Sequence, residues 1–321
     1  MSWIGVSDGA NKTVGKPVFL LMGPTASGKT RHVIELASRF PIEVVSVDSA
    51  MVYRGLDIGT AKPGLDIRKQ VPHHLIDILD PADSYSAGRF VSDARRVIME
   101  IHDRDRLPVL VGGTFLYFYS WWHGLSALPP SDPAVRSSIE DSARRVGWSV
   151  LHGELSRLDP ESGRRIHPHD RQRITRAHEV IALTGKKFSD LLHRPPLRAK
   201  PEFCAMAVVV TDRQALHQRV RSRVDEMIGA GWLEEVSALR ARGDLHPQLP
   251  ALRSVGYADL WHCLENPERL EQTREDIVQA TMGLAKRQMT WLRRFDVEHR
   301  WNVENPSWPM QMQAVLERWV G

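Results

Sequence analysis

At 321 residues, 26% charged and 42% hydrophobic, the chain has the composition of a globular protein with room for one large domain and a smaller one. No apolar run approaches the roughly 18 residues that span a bilayer. The polar stretch Met1–Lys16 lacks the apolar core of a secretory signal, and the distant Cys204 and Cys263 make neither a disulfide framework nor a zinc site, so a reducing cytoplasm is expected. The formal charge of +4 is uneven: residues 131–200 carry 14 Lys and Arg against 9 Asp and Glu (+5), residues 1–130 carry 14 against 13 (+1), and residues 201–321 carry 15 against 17 (−2). A local basic excess suits either a solvated face or a nucleic-acid footprint.

The apolar run Val18–Met22 predicts a buried strand, and it feeds Gly23-Pro24-Thr25-Ala26-Ser27-Gly28-Lys29-Thr30. That stretch is G-x-x-x-x-G-K-[ST], a loop whose amides cradle a phosphate chain. A helix over Arg31–Phe40 would add its positive N-terminal end. Lys29 supplies a cation for the terminal phosphates, and the Thr30 hydroxyl can ligate a bridging Mg²⁺. Ile42–Val47 predicts a second strand ending at Asp48-Ser49-Ala50-Met51. Parallel strands place ligands at their carboxyl ends, so Asp48 should share a crevice with Lys29.

Tyr53–Pro63 reads as loop, and His74–Leu79 as a short apolar stretch closed by Asp80-Pro81. Phe90, Ala94, Val97, Ile98 and Ile101 share one helical face. Pro108–Val111 predicts a third strand, stopped by Gly112-Gly113-Thr114, and an aromatic run Phe115–Trp122 follows. The break Pro129-Pro130-Ser131-Asp132-Pro133 marks a domain boundary. Residues 134–198 read as helices with no strand candidate, and strand character returns at Ala205–Val210. Arg213–Leu239 and Arg274–Phe295 read as long helices. The expectation is an α/β phosphate-loop core with a parallel sheet, formed by residues 1–133 and 199–321. A small all-helical insertion occupies 134–198.

Phosphate-loop proteins most often act on a nucleotide such as ATP, with an acid at a second strand end holding Mg²⁺. The Val109–Val111 strand ends in Gly-Gly-Thr and lacks that acid, so Asp48 is either the metal-holding acid of a kinase or a base aimed at an acceptor. Composition does not separate these roles. Arg219 and Arg223, one helical turn apart, share a face and are candidate cations for the phosphates. His73-His74 and His167/His169 lack neighbouring carboxylates or cysteines in sequence, so no metal site is read from them.

Residues 23–30 and Asp48-Ser-Ala-Met-Val-Tyr53 resemble the opening of the tRNA dimethylallyltransferases, also called tRNA isopentenyltransferases. The likeness continues through Asp57–Pro63, Tyr85–Ala87, Leu110–Thr114, His167–Arg173, Arg253–Tyr257 and Leu284–Arg293, in family order from about residue 18 to 295. The chain lacks the zinc-finger extension of eukaryotic members, which implies a bacterial-type enzyme. The resemblance implies transfer of a dimethylallyl group from dimethylallyl diphosphate to N6 of an adenine beside the anticodon of tRNA, with Mg²⁺. It implies Asp48 as the base and Thr114 as the second catalytic residue, with the loop as the diphosphate site, to which the spacing of Arg219 and Arg223 adds candidate cations.

For tRNA it implies contacts at Asp48, Ser49, Ala50, Met51, Thr114 and Arg136, and along Gln172-Arg173-Ile174-Thr175-Arg176. Further contacts are expected along Arg253-Ser254-Val255-Gly256-Tyr257-Ala258, where a ring can stack and a glycine allows close approach. The last set is Lys286-Arg287-Gln288-Met289-Thr290-Trp291-Leu292-Arg293. A cytoplasmic monomer binding the anticodon stem-loop is expected, with no membrane partner. The rivals are a small-molecule kinase of the same fold, an isopentenyltransferase acting on free adenine nucleotides, and a non-catalytic RNA-binding module.

Overall fold

Five apolar residues in a row, Val18–Met22, leave no polar face to turn to water, so β1 is buried on both sides of a sheet. In a computed structural model that describes residues 17–126, 128–192 and 203–320, it is joined by β2 (Ile42–Val47), β3 (His73–His74), β4 (Leu107–Gly112), β5 (Phe203–Val209) and β6 (His299–Asn302). All pairs are parallel, in the order β3-β2-β4-β1-β5-β6. Fourteen α-helices lie between and after the strands among the described residues. They are α1 (Lys29–Leu36), α2 (Leu65–Gln70), α3 (Ala87–Asp103), α4 (Phe115–His123), α5 (Pro133–Val146), α6 (Trp148–Leu158) and α7 (Pro160–Arg165). The series continues with α8 (Arg171–Thr184), α9 (Phe188–Leu191), α10 (Arg213–Gly229), α11 (Trp232–Ala241), α12 (Tyr257–Cys263), α13 (Leu270–Leu292) and α14 (Trp308–Val320).

The chain divides into two compact units, one of Met1–Tyr119 with Ala199–Gly321 and one of Ser120–Arg198. The division therefore falls inside the aromatic helix α4, earlier than the proline-rich break. In the larger unit Phe19, Leu21, Val44, Val109 and Met206 pack with Val33 of α1 and with Trp308, Met312 and Val315 of α14. A second core of the same unit joins α10 to α13 around Trp232 and Tyr257. The smaller unit has its own core of Leu151, Leu155, Ile166, Ile174 and Ala177, and its described residues carry helices only. No helix among the described residues is long and apolar enough to cross a membrane.

Three elements differ from the sequence expectation. The stretch 74–79 yields only the two-residue β3, because Leu75 (φ 61°) and Asp77 (φ 57°) turn left-handed. Asp77 there accepts from Lys62 (2.6 Å) and Arg68 (2.7 Å). The single helix expected over 213–239 is two, parted at Gly231 with φ 99°. The edge strand β6 is short, with Trp301 its one apolar residue, and is too brief to read in sequence.

Candidate active site

Because every strand runs the same way, the residues that follow β1, β2 and β4 emerge together at the carboxyl end of the sheet. The order reverses at β1, with β4 on one side and β5 on the other, and such a switch point opens a crevice. The phosphate loop, Asp48 and Thr114 all lie there, on the wall of a single cavity of about 830 Å³ within the larger unit. Thr25 to Thr30, Asp48 to Met51, Thr114 and Arg223 contribute to that wall.

In the loop, Ala26 (φ 57°) and Gly28 (φ 75°) take left-handed conformations, and Gly28 caps α1 without a side-chain hydrogen bond. The Pro24 carbonyl accepts from Ser27 Oγ (2.8 Å) and Lys29 Nζ (2.9 Å). Burial above all, with the positive charge of Arg223 adding to it, pushes the Lys29 ammonium down to about 8, and Asp48 pulls the other way. Burial also lowers Arg223, which Asp48 and Glu226 partly offset. Among the described residues the Arg223 guanidinium makes no hydrogen bond or close ion pair. Two partly desolvated cations thus face one carboxylate.

Asp48 follows β2 directly. Its Oδ1 accepts from the amides of Ala50 (2.8 Å) and Met51 (3.2 Å), which fixes the carboxyl and leaves its other oxygen without a hydrogen bond among the described residues. Thr114 Oγ1 accepts from the Ser49 amide (3.1 Å) and donates to Ser49 Oγ (3.4 Å). The turn that carries Thr114 needs its glycines. A Cβ on Gly112 would lie 2.0 Å from the Val47 carbonyl oxygen, and one on Gly113 would lie 2.3 Å from Gln288 Nε2.

The other expected residues separate into groups. Arg219 does not line the cavity: its Nε donates to the Ala26 carbonyl (3.2 Å) and its charge meets Glu304 (3.3 Å), so it holds the loop backbone rather than offering a vacant cation. Arg253, Ser254, Val255, Arg287, Gln288 and Trp291 reach the cavity. Arg294 lies 4.6 Å from the Trp291 ring centre. Lys286, Thr290 and Arg293 are exposed, Met289 and Ala258 are half-buried, and Leu292 is core.

The expected stacking ring, Tyr257, is fully buried, edge-on to Trp232, and donates to Glu235 at 2.7 Å. The close approach at Gly256 is likewise internal, since a Cβ there would lie 2.1 Å from Trp232. In the smaller unit, Gln172 and Arg173 are exposed on α8 and Arg136 is half-buried on α5. Ile174 and Thr175 are buried, while Arg176 pairs with the buried Glu179 (2.6 Å) and the Pro129 carbonyl (2.6 Å). Within residues 172–176 only Gln172 and Arg173 are exposed, and Arg176 is half-buried.

Two residues shape the site in ways not read from the sequence. Gln288 bridges the phosphate loop and the Gly113 turn, accepting from the Thr25 amide (2.8 Å) and donating to the Gly113 carbonyl (3.0 Å). Glu235 accepts from the amides of Asp57 (2.9 Å), Ile58 (2.7 Å) and Gly59 (3.3 Å) and so fixes the loop over one side of the cavity. Each falls on an apolar helical stripe, Ala285–Gln288–Leu292 and Trp232–Glu235–Leu239. A polar residue on such a stripe is the signal that was available.

The donor set suits a hard divalent cation. The Thr30 hydroxyl lines the cavity and makes no hydrogen bond among the described residues, so it is available to ligate such an ion. Mg²⁺ ordinarily takes few protein oxygens and completes its shell with phosphate and water.

The sequence model of a family described as IPP transferase matches residues 51–295. The chain belongs to the IPP transferase family. Proteins named tRNA dimethylallyltransferase from Alkalilimnicola ehrlichii and Bordetella petrii are 51% and 50% identical to this transferase. Those matches cover 87% and 86% of this chain and 88% and 89% of theirs. The crystal structure of the tRNA isopentenylpyrophosphate transferase from Bacillus halodurans superposes with a TM-score of 0.67 at 33% identity, covering 94% of this chain and 96% of that one. A eukaryotic dimethylallyltransferase, solved acting on tRNA, gives 0.75 at 25% identity, over 94% and 78% of the two chains.

Proposed function

We propose that this transferase moves a dimethylallyl group from dimethylallyl diphosphate to N6 of adenine 37, beside the anticodon of cytoplasmic tRNAs that read codons beginning with U. The observation that carries the reading is the pairing of Lys29 and Arg223 against the single carboxylate of Asp48 in one cavity. Excess positive charge receives a diphosphate, and the carboxylate stands beside it for an acceptor.

Heterolysis of the allylic C–O bond leaves its electron pair on the diphosphate, which Lys29, Arg223 and the loop amides stabilise as negative charge grows there. Mg²⁺ held by Thr30 and the diphosphate oxygens would add to that stabilisation. The N6 lone pair of adenine is delocalised and a weak nucleophile. The unbonded oxygen of Asp48 accepts one N6 proton as the new C–N bond forms, and passes it to solvent when the product leaves. Thr114, held by Ser49, orients the reacting partners at the same end of the sheet. A stacked anticodon base cannot reach this cavity, so the adenine is turned out of its loop. Trp291 and Arg253 on the wall, and Gln172 with Arg173 on the basic insertion, are surfaces suited to the surrounding RNA.

The test mixes the protein with labelled dimethylallyl diphosphate, Mg²⁺ and unmodified tRNA, with AMP as a competing acceptor and ATP as a competing donor. Label in tRNA at one adenine supports the reading. Label in AMP, or phosphate transferred from ATP with no prenyl in RNA, overturns it.

A further inference from the structure

The side chain of Gln288 stands where two loops of the site meet. Its Oε1 accepts from the Thr25 amide at 2.8 Å and its Nε2 donates to the Gly113 carbonyl at 3.0 Å. The amide orientation is fixed by its partners, because an N–H only donates and a carbonyl only accepts. Thr25 belongs to the phosphate loop, and Gly113 immediately precedes Thr114. Gln288 itself rides on α13, whose next residues on the cavity side are Arg287 and Trp291. A Cβ on Gly113 would lie 2.3 Å from Gln288 Nε2 and would push the amide out of its place. The amide is thus a two-pronged staple that holds the diphosphate cradle and the Thr114 turn at one spacing, from a helix that also offers groups to the acceptor.

Resting on the reading above, we propose that Gln288 is a positioning residue that couples acceptor binding to the diphosphate loop, not a direct RNA contact. Pressure on α13 from a bound tRNA is passed to Thr25 and Gly113 through one rigid side-chain amide. Linkage then requires that tRNA and diphosphate change each other's affinity by the same factor.

The experiment compares wild type with Gln288→Met, which keeps the volume and loses both bonds, and with Gln288→Glu. The glutamate keeps the acceptor for Thr25 and sets an oxygen against the Gly113 carbonyl. The dissociation constant of inorganic diphosphate is measured with and without saturating tRNA, alongside tRNA affinity and kcat. In wild type, tRNA is expected to tighten diphosphate binding about 5-fold or more, within the range of allosteric couplings. Both variants should bring that ratio close to one and lower kcat about 10- to 100-fold, while tRNA alone binds within about twofold of wild type. A retained ratio overturns the proposal, as does a variant that loses tRNA affinity outright. If Gln288→Met fails to fold, Gln288→Glu carries the same comparison. Wild-type protein that puts no prenyl into tRNA refutes the proposed reaction, whereas the variant-to-wild-type ratio in diphosphate binding tests Gln288 separately.

Discussion

Arg223 raises the electrostatic cost of keeping Lys29 charged, and no carboxylate within hydrogen-bond reach relieves Arg223 itself among the described residues. The pair is therefore a standing excess of positive charge that a bound polyanion removes. Arg223→Met should raise KM for dimethylallyl diphosphate about 10- to 100-fold, the loss of one or two charge-assisted contacts. Folding stability should be unchanged or higher, because an unneutralised, desolvated cation is gone. Arg219→Met should instead lower stability along with activity, since that side chain ties Ala26 to Glu304. Steady-state kinetics and urea titration on both variants separate the two roles.

The depressed Lys29 gives the site a pH limit. Below about 8 the ammonium is charged and, on the proposed reading, available to the diphosphate; above it the neutral amine offers no cation. Affinity for dimethylallyl diphosphate should fall by up to about tenfold per pH unit above that point. Lys29→Arg should flatten the profile, because a guanidinium stays charged across the range. Binding titrations from pH 6.5 to 9.5 read both outcomes.

The proposed reaction gives Asp48 a second duty beside its structural one. Asp48→Asn keeps an oxygen for the Ala50 and Met51 amides and removes the proton acceptor, so the turn should persist while kcat drops about 10²- to 10⁴-fold. Its tRNA affinity should stay near wild type in a filter-binding or fluorescence assay. Wild-type turnover by this variant is incompatible with Asp48 as the base.

Trp232 is held between two glycines. A Cβ at Gly256 would lie 2.1 Å from the indole, at φ 89°, and one at Gly59 would also lie 2.1 Å away. Gly256→Ala should cost about 3 kcal/mol or more, from overpacking and backbone strain together. The midpoint of urea unfolding measures it.

Tyr257→Phe separates an internal ring from one that stacks on RNA. It keeps the ring and removes the hydroxyl bonded to Glu235, so stability should fall by about 1–2 kcal/mol with tRNA affinity unchanged. If the ring served only to stack on RNA, the substitution would leave stability unaltered.

Local chemistry was what the chain disclosed of itself before folding. The phosphate loop, the strand before it and Asp48 after β2 are contiguous patterns, and the parallel sheet follows from their alternation with helices. The break between α10 and α11 was also written locally, in the Gly229-Ala230-Gly231 run, but the helical periodicity on both sides concealed it. Tyr257 and Gly256 misled for a different reason. A glycine beside an aromatic signals close packing without naming the partner, and here the partner is Trp232 rather than a nucleotide base. Gln288 belongs to the same class: its neighbours Thr25 and Gly113 lie 263 and 175 positions away, and only the carboxyl end of the folded sheet brings them to it.

The first helix begins at Gly28 with no side chain to complete its opening turn. On the proposed reading the donor's diphosphate completes that turn, and the diphosphate released has the same chemistry as the part of the donor that does so. Diphosphate left behind after each cycle would then compete with the incoming prenyl donor for one cradle, and sustained turnover would depend on whatever in the surroundings hydrolyses it.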